Sequence, residues 1–168
     1  DPLSLVVDGC GIHYDGTRTS GLERLLNEAR FPTDLVERGR RLRERLVTQR
    51  LSKYNVGAER TLDLPEDRPR ILVPGQVETD ASVAAGALGV RSNRGLLAAV
   101  RAAHPEAYIL YKPHPDVAAG GRLGGGEGLD RRHWDYMVND VAMARLLGQV
   151  DEVHTMTSLT GFEALLRG

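Results

Sequence analysis

Apolar residues gather in short runs separated by polar, turn-forming stretches, and the spacing within each run predicts an element. Leu3-Ser4-Leu5-Val6-Val7 reads as a strand and Ile12-His13-Tyr14 as a short second one, with Asp8-Gly9 and Gly11 between them as in a hairpin. Thr19 and Ser20 are placed to cap a helix from Gly21 to about Glu28, whose Leu22, Leu25 and Leu26 share a face. Pro32 and Thr33 open a second helix reaching about Leu51, with Leu35, Leu42 and Leu46 at helical spacing. Residues 55–69 are charged and turn-rich, which reads as a linker.

Beyond residue 69 the pattern becomes a regular alternation. Arg70-Ile71-Leu72-Val73 predicts a buried strand, and a helix spans Asn93 to Ala103. Ala107 to Tyr111 predicts the next strand, Val138 to Leu147 a helix, and Glu152 to Met156 a third strand that runs into a final helix at Phe162–Gly168. Strands separated by helices imply a parallel sheet with helices on its faces, an α/β Rossmann-like fold. The glycine-rich stretch Ala118–Gly128 carries no assignable element, and it lacks the strand and helix that a dinucleotide fingerprint requires. The chain reads as a piece of a longer protein, because a doubly wound domain needs more strands than these.

Composition removes several function classes. A net charge of −1 and an aromatic content of 5% leave neither a basic footprint nor stacking platforms for nucleic acid. No apolar run reaches the roughly 20 residues of a membrane-spanning helix, and the first residues lack the pattern of a signal peptide. Cys10 is the only cysteine, so no internal disulfide or cysteine-based zinc site can form, and a reducing, cytosolic setting is expected. His13, His104, His133 and His154 show no metal-ligand spacing; His154, inside an apolar strand, reads as a core histidine. The arginines between 38 and 50 are interleaved with Glu37 and Glu44, which predicts a salt-bridged, solvated helix face. Trp134 and Tyr136 are expected to be packing residues.

Three polar motifs each follow an apolar run, where a parallel sheet presents its loops to a ligand. In Thr157-Ser158-Leu159-Thr160-Gly161 a strand feeds a helix start, so unpaired amides and hydroxyls can hold a phosphate, or Ser158 can simply cap the helix. In Lys112-Pro113-His114-Pro115-Asp116 two prolines stiffen the backbone around an imidazole able to donate to a phosphate or a leaving group, with Lys112 adding positive charge. The alternative there is a rigid surface turn. In Gln76-Val77-Glu78-Thr79-Asp80-Ala81-Ser82, Glu78 and Asp80 can share one side of an extended segment, and a carboxylate there can act as base or nucleophile at a sugar carbon. Asp80 is equally suited to cap a helix.

These motifs, with Leu3–Asp8, Gly11–Asp15 and Leu51-Ser52-Lys53-Tyr54-Asn55, resemble the capsule-polysaccharide β-Kdo glycosyltransferases, the capsule synthesis and export family of Gram-negative bacteria. The likeness covers nearly the whole chain. It implies a fragment of a GT-B-like glycosyltransferase: residues 1–54 as the end of an N-terminal lobe and helical connection, 55–69 as linker, and 70–168 as a CMP-sugar-binding lobe incomplete at its C-terminus. It implies retaining transfer of Kdo from CMP-Kdo to a lipid-linked Kdo oligosaccharide acceptor, at the cytoplasmic surface of the inner membrane, without a cofactor. The catalytic residues implied are Asp80 as nucleophile, Glu78 as its rival or partner base, and His114. The donor-binding residues implied are Gln76, Lys112, His114, Pro115, Thr157, Ser158, Thr160 and Gly161, with no metal. A nucleotide-binding or interaction module without chemistry is the alternative; a phosphoester hydrolase is a third reading, disfavoured because metal-ligand spacing is lacking.

Overall fold

The computed structural model describes residues 6–118 and 128–168. Its centre is a four-stranded sheet of β1 (Arg70–Pro74), β2 (Tyr108–Lys112), β3 (Tyr136–Met137) and β4 (Glu152–Val153), in the order β3-β2-β1-β4. Every pairing is parallel. The chain steps outward from β1 to β2 to β3, then returns to the other side of β1 to lay down β4. That reversal opens a crevice beyond the carboxyl ends of β1 and β4, where doubly wound sheets receive ligands.

Alternation along β1 and β2 builds two cores. Ile71, Val73, Ile109 and Tyr111 point to one face and pack with Leu96, Leu97 and Val100 of α4 (Asn93–Ala103). Leu72 and Leu110 point to the other, with Val138, Val141, Leu146 and Leu147. All six strand residues are fully buried, as expected of a parallel sheet covered on both sides. The second core includes α6 (Met143–Leu146) and Leu62. Thus residues 55–69 lie along the sheet-bearing unit: Ala58 bridges Val141, and Leu62 N–H donates to Gln149 Oε1 at 2.7 Å.

Two helices precede the sheet, α1 (Gly21–Glu28) and α2 (Thr33–Thr48), and neither contains a buried residue. Ser20 caps α1, its Oγ accepting the Glu23 N–H at 3.1 Å. On α2, Arg40 pairs with Glu37 and Glu44, and Arg41 with Glu37, which forms the salt-bridged face expected. The remaining helices are short: α3 (Ala81–Gly86), α5 (Pro115–Ala118) and α7 (Leu159–Leu165), plus a 3-10 turn at Arg131–His133.

Several expectations need correction. Val6 and Val7 belong to no strand and are exposed, while Leu3–Leu5 lie outside the described residues. Ile12-His13-Tyr14 is a turn, closed by the Asp15 N–H donating to the Ile12 carbonyl at 3.0 Å, with Asp8 and Asp15 fixing its flanks by accepting the N–H groups of Cys10 at 2.9 Å and Thr17 at 3.0 Å. α2 stops at Thr48, just before Arg50 takes a left-handed φ of 53°. The helix expected from Val138 shrinks to Met143–Leu146, since the Val138 N–H donates to the Tyr111 carbonyl at 2.8 Å and Val141 bridges Ala58, which holds residues before Met143 in sheet-like pairing. β4 ends at Val153, beyond which Thr155 turns its hydroxyl to Gln76. The last helix begins three residues early, at Leu159. Trp134 packs in the first core, but Tyr136 is 37% exposed. The glycine-rich residues 119–127 lie outside the described residues.

Candidate functional site

The loops after β1, β2 and β4 converge on one crevice. It is bordered by Gln76 and Asp80 from the first loop, Lys112, His114 and Pro115 from the second, and Thr157, Ser158 and Thr160 from the third. A fourth wall comes from Ser52, Lys53 and Tyr54, which follow α2.

Gln76 holds two of these loops together. It is buried, and its backbone N–H donates to Asn93 Oδ1 at 2.9 Å while Asn93 Nδ2 returns a bond to its carbonyl at 2.9 Å. Its side-chain Nε2 donates to Thr157 Oγ1 at 2.8 Å, and its Oε1 accepts the Thr157 N–H at 2.9 Å. The amide therefore fixes the β4 loop against the β1 loop. Its role is positioning before it is contact.

The two acids of the first motif part company. Asp80 borders the crevice and caps α3, its Oδ1 accepting the Ser82 N–H at 2.8 Å. Glu78 is not among the lining residues; its Oε1 accepts the Asn93 N–H at 2.7 Å, at the start of α4. Its charge also reaches Tyr111, whose phenol is pushed up to about 12, mainly by burial and secondly by Glu78.

The proline-flanked histidine is held by hydrogen bonds on both ring nitrogens. Asp116 N–H donates to Nδ1 at 3.2 Å, which in the neutral ring leaves the proton on Nε2. That nitrogen lies 3.1 Å from the Tyr54 hydroxyl, and the two rings meet edge to face. Lys112, beside it, is buried, and loss of solvent pulls its ammonium below the ordinary value, with Asp140 opposing the shift.

In the third loop Ser158 is a true cap of α7: its Oγ accepts the Thr160 N–H at 3.2 Å and donates to Thr160 Oγ1 at 3.1 Å. The cap and the crevice wall are the same residues, so the two readings of this motif are compatible. Gly161 stands behind the wall, where a Cβ would lie 2.9 Å from the Thr155 methyl. The crevice thus offers two carboxylates, Asp80 and a Glu163 bound to the Lys53 amide, one imidazole, the ammonium groups of Lys53 and the buried Lys112, and several hydroxyls. Such a set suits a sugar joined to a phosphate.

A family model described as capsule polysaccharide biosynthesis protein matches residues 33–168. The chain belongs to this family. It is 44% identical over 168 residues to the capsule polysaccharide modification protein LipA of Neisseria meningitidis serogroup B, covering 99% of this chain and 24% of that protein. It is 42% identical to the lipopolysaccharide-processing protein LpsZ of Rhizobium meliloti, covering 99% of this chain and 39% of LpsZ. The chain therefore spans less than half the length of these curated relatives. Among solved structures it resembles the β Kdo 2,4 transferase of Thermosulfurimonas dismutans KpsC, with a TM-score of 0.87 and 32% identity over 99% of this chain and 53% of that one. It also resembles the β Kdo 2,7 transferase of the same KpsC, with a TM-score of 0.78 and 36% identity over 95% of this chain and 48% of that one.

Within this capsule family member, the motif residues that reach the crevice come from strand ends, as Gln76 and Lys112 do, and from the helix caps that follow, as Asp80 and Ser158 do. Sequence reasoning missed Tyr54, Lys53, Ser82, Met143 and Glu163, all of which border it. Tyr54 had a signal, since it sits in one of the family-like stretches; Met143 had none.

Proposed function

We propose that this crevice binds CMP-Kdo and that the protein transfers Kdo, with retention and as a β-linked residue, onto a lipid-linked acceptor in capsular polysaccharide biosynthesis. The observation that carries this reading is the meeting of Asp80, His114, Lys112 and Ser158 at one crevice. The two similar KpsC structures are both Kdo transferases, and this likeness points to the sugar.

Two displacements preserve configuration. In the first, an Asp80 oxygen attacks the anomeric carbon; the carbon–oxygen bond to phosphate breaks, and CMP leaves with the electron pair. In the second, the acceptor hydroxyl attacks that carbon, its proton passes to solvent, and the bond to Asp80 breaks to free the carboxylate. Asp80 suits the nucleophile better than Glu78, which is committed to the α4 amide outside the crevice. Lys112 and His114, its Nε2–H turning from the Tyr54 hydroxyl to the phosphate, offset the charge that develops there, and the Thr160 hydroxyl, which accepts from Ser158, adds a donor. Kdo carries its own carboxylate, so the buried ammonium faces a doubly anionic donor. A lipid-linked acceptor would bring the protein to the inner-membrane surface from the cytoplasm; among the described residues no helix is long and apolar enough to cross a membrane.

Intact-mass measurement of the full-length protein after exposure to CMP-Kdo tests the mechanism. One added sugar, mapped to Asp80, is the expected result. Full transferase activity in Asp80→Ala would overturn the nucleophile assignment. CMP affinity without any adduct or transfer would favour a binding module instead.

A further inference from the structure

We propose that His104, Glu152 and His154 form a binding site for a divalent first-row transition ion, Zn²⁺ by preference, on the α4 side of the sheet and apart from the crevice. The chain order hides this group, because His104 ends α4 while the other two belong to β4 and its continuation. Glu152 and His154 are two residues apart in extended chain, so both face the same way. The descending α4 delivers His104 to that face as its C-cap.

The geometry is close to a coordination sphere. His154 Nε2 lies 2.9 Å from Glu152 Oε2, and His104 Nε2 lies 3.9 Å from the same oxygen. One ligand atom from each of the three residues falls within 4.8 Å of the others. Tetrahedral zinc with bonds of about 2.0–2.2 Å needs ligand atoms about 3.4 Å apart. Small rotations of side chains would close the difference, and these side chains are 30%, 46% and 32% exposed for His104, Glu152 and His154, so they have room to turn. The imidazoles already stand 5.0 Å apart between centroids at 74°, a packing that lets both present Nε2 to one point.

Donor chemistry selects the ion. Two imidazoles and one carboxylate are borderline ligands that suit Zn²⁺, Co²⁺ or Ni²⁺ and disfavour Ca²⁺ and Mg²⁺, which take oxygen sets. Three protein ligands leave a position for water. The His104 end of α4 is its carboxyl end, where the helix dipole welcomes a cation. A bound ion would clamp the α4 terminus to the strand that borders the crevice on its far side. None of the three residues lines the crevice, so the site is separable from transfer.

The test uses the intact protein, stripped with chelator and titrated with Co²⁺ as a spectroscopic probe, with Zn²⁺ as competitor. Wild-type protein is expected to show d–d absorption that Zn²⁺ abolishes, and a melting temperature raised by Zn²⁺. The His104→Ala/His154→Ala variant is expected to bind one equivalent fewer and to lose the Zn²⁺-dependent rise, while melting like the wild type in chelator. Equal stoichiometry in the two proteins would overturn the site and leave a plain hydrogen-bonded His–Glu cluster. If the double variant does not fold, Glu152→Gln keeps the shape and removes one ligand charge; affinity for that equivalent should fall about 10-fold or more. Unaltered affinity there would equally overturn the proposal.

Discussion

Glu163 accepts the backbone N–H of Lys53 at 2.6 Å, across more than a hundred residues of chain, and this bond delivers Tyr54 to His114. The acid is 7% exposed, so its charge-assisted bond is shielded from water. Arg167, one turn later, donates to the Leu51 carbonyl at 3.1 Å and doubles the strap. α7 therefore does two jobs, capping one wall of the crevice and pinning another.

Glu163→Ala should release the Ser52–Tyr54 wall and remove the part-buried bond to the Lys53 amide, costing about 1 kcal/mol of stability. Donor affinity should fall in the same variant, because Tyr54 loses its fixed place at the His114 Nε2. Glu163→Gln retains an acceptor oxygen and should recover most of both losses. Urea denaturation and a CMP titration on the two variants check this.

Asp80 carries a cap and, in the proposed mechanism, a nucleophile, and one substitution separates them. Asp80→Asn can still accept the Ser82 N–H, so stability should change by less than about 0.5 kcal/mol. Transfer should nevertheless fall by at least about 1,000-fold, since an amide cannot form the glycosyl ester. CMP affinity should hold. Loss of folding together with activity would assign Asp80 to the helix cap alone.

Lys112 predicts a pH dependence whose sign follows from burial. Its ammonium is pulled below the ordinary 10.5, so between the folded value and 10.5 the unfolded chain binds more protons. Stability should therefore rise as pH climbs through that window. Anion binding should do the opposite, because the charged form that attracts phosphate is lost as pH passes the folded value. CMP affinity measured across that range should decline in the wild type and stay flat in Lys112→Met.

How much of this was legible in the chain depends on whether an element answers to its own sequence. β1, β2 and α4 were readable because alternation, helical spacing and capping coincide with complete burial. β3 was not, since Tyr136–Met137 contributes two residues and owes its existence to pairing with Leu110 and Tyr111. The turn at His13 reads as a strand because apolar spacing cannot show that the Asp15 N–H folds back onto the Ile12 carbonyl, between flanks held by Asp8 and Asp15. In the site, Asp80 and His114 were evident from motif chemistry, whereas Glu78 looked equivalent to Asp80 until its bond to α4 was seen. The His104–Glu152–His154 group was invisible to spacing, because the sheet, not the chain, brings α4 and β4 together.

Gly75 shows how tightly the base of the crevice is built. Its N–H donates to the Lys112 carbonyl at 2.8 Å, and a Cβ there would sit 2.6 Å from the Tyr111 hydroxyl oxygen. The Tyr111 ring is fully buried between α4 and the sheet, so it cannot swing aside as an exposed side chain would. Gly75→Ala should thus cost about 1–3 kcal/mol by overpacking and displace Gln76, the residue that holds the β4 loop. Tyr111→Phe removes the clashing oxygen but leaves the ring carbon 3.1 Å from the new methyl, so rescue should be partial. The double variant should be more stable than the sum of the two single losses implies, a favourable coupling read from a double-mutant cycle in urea. Strict additivity would mean that the loop yields around the new methyl and that Tyr111 does not set its path.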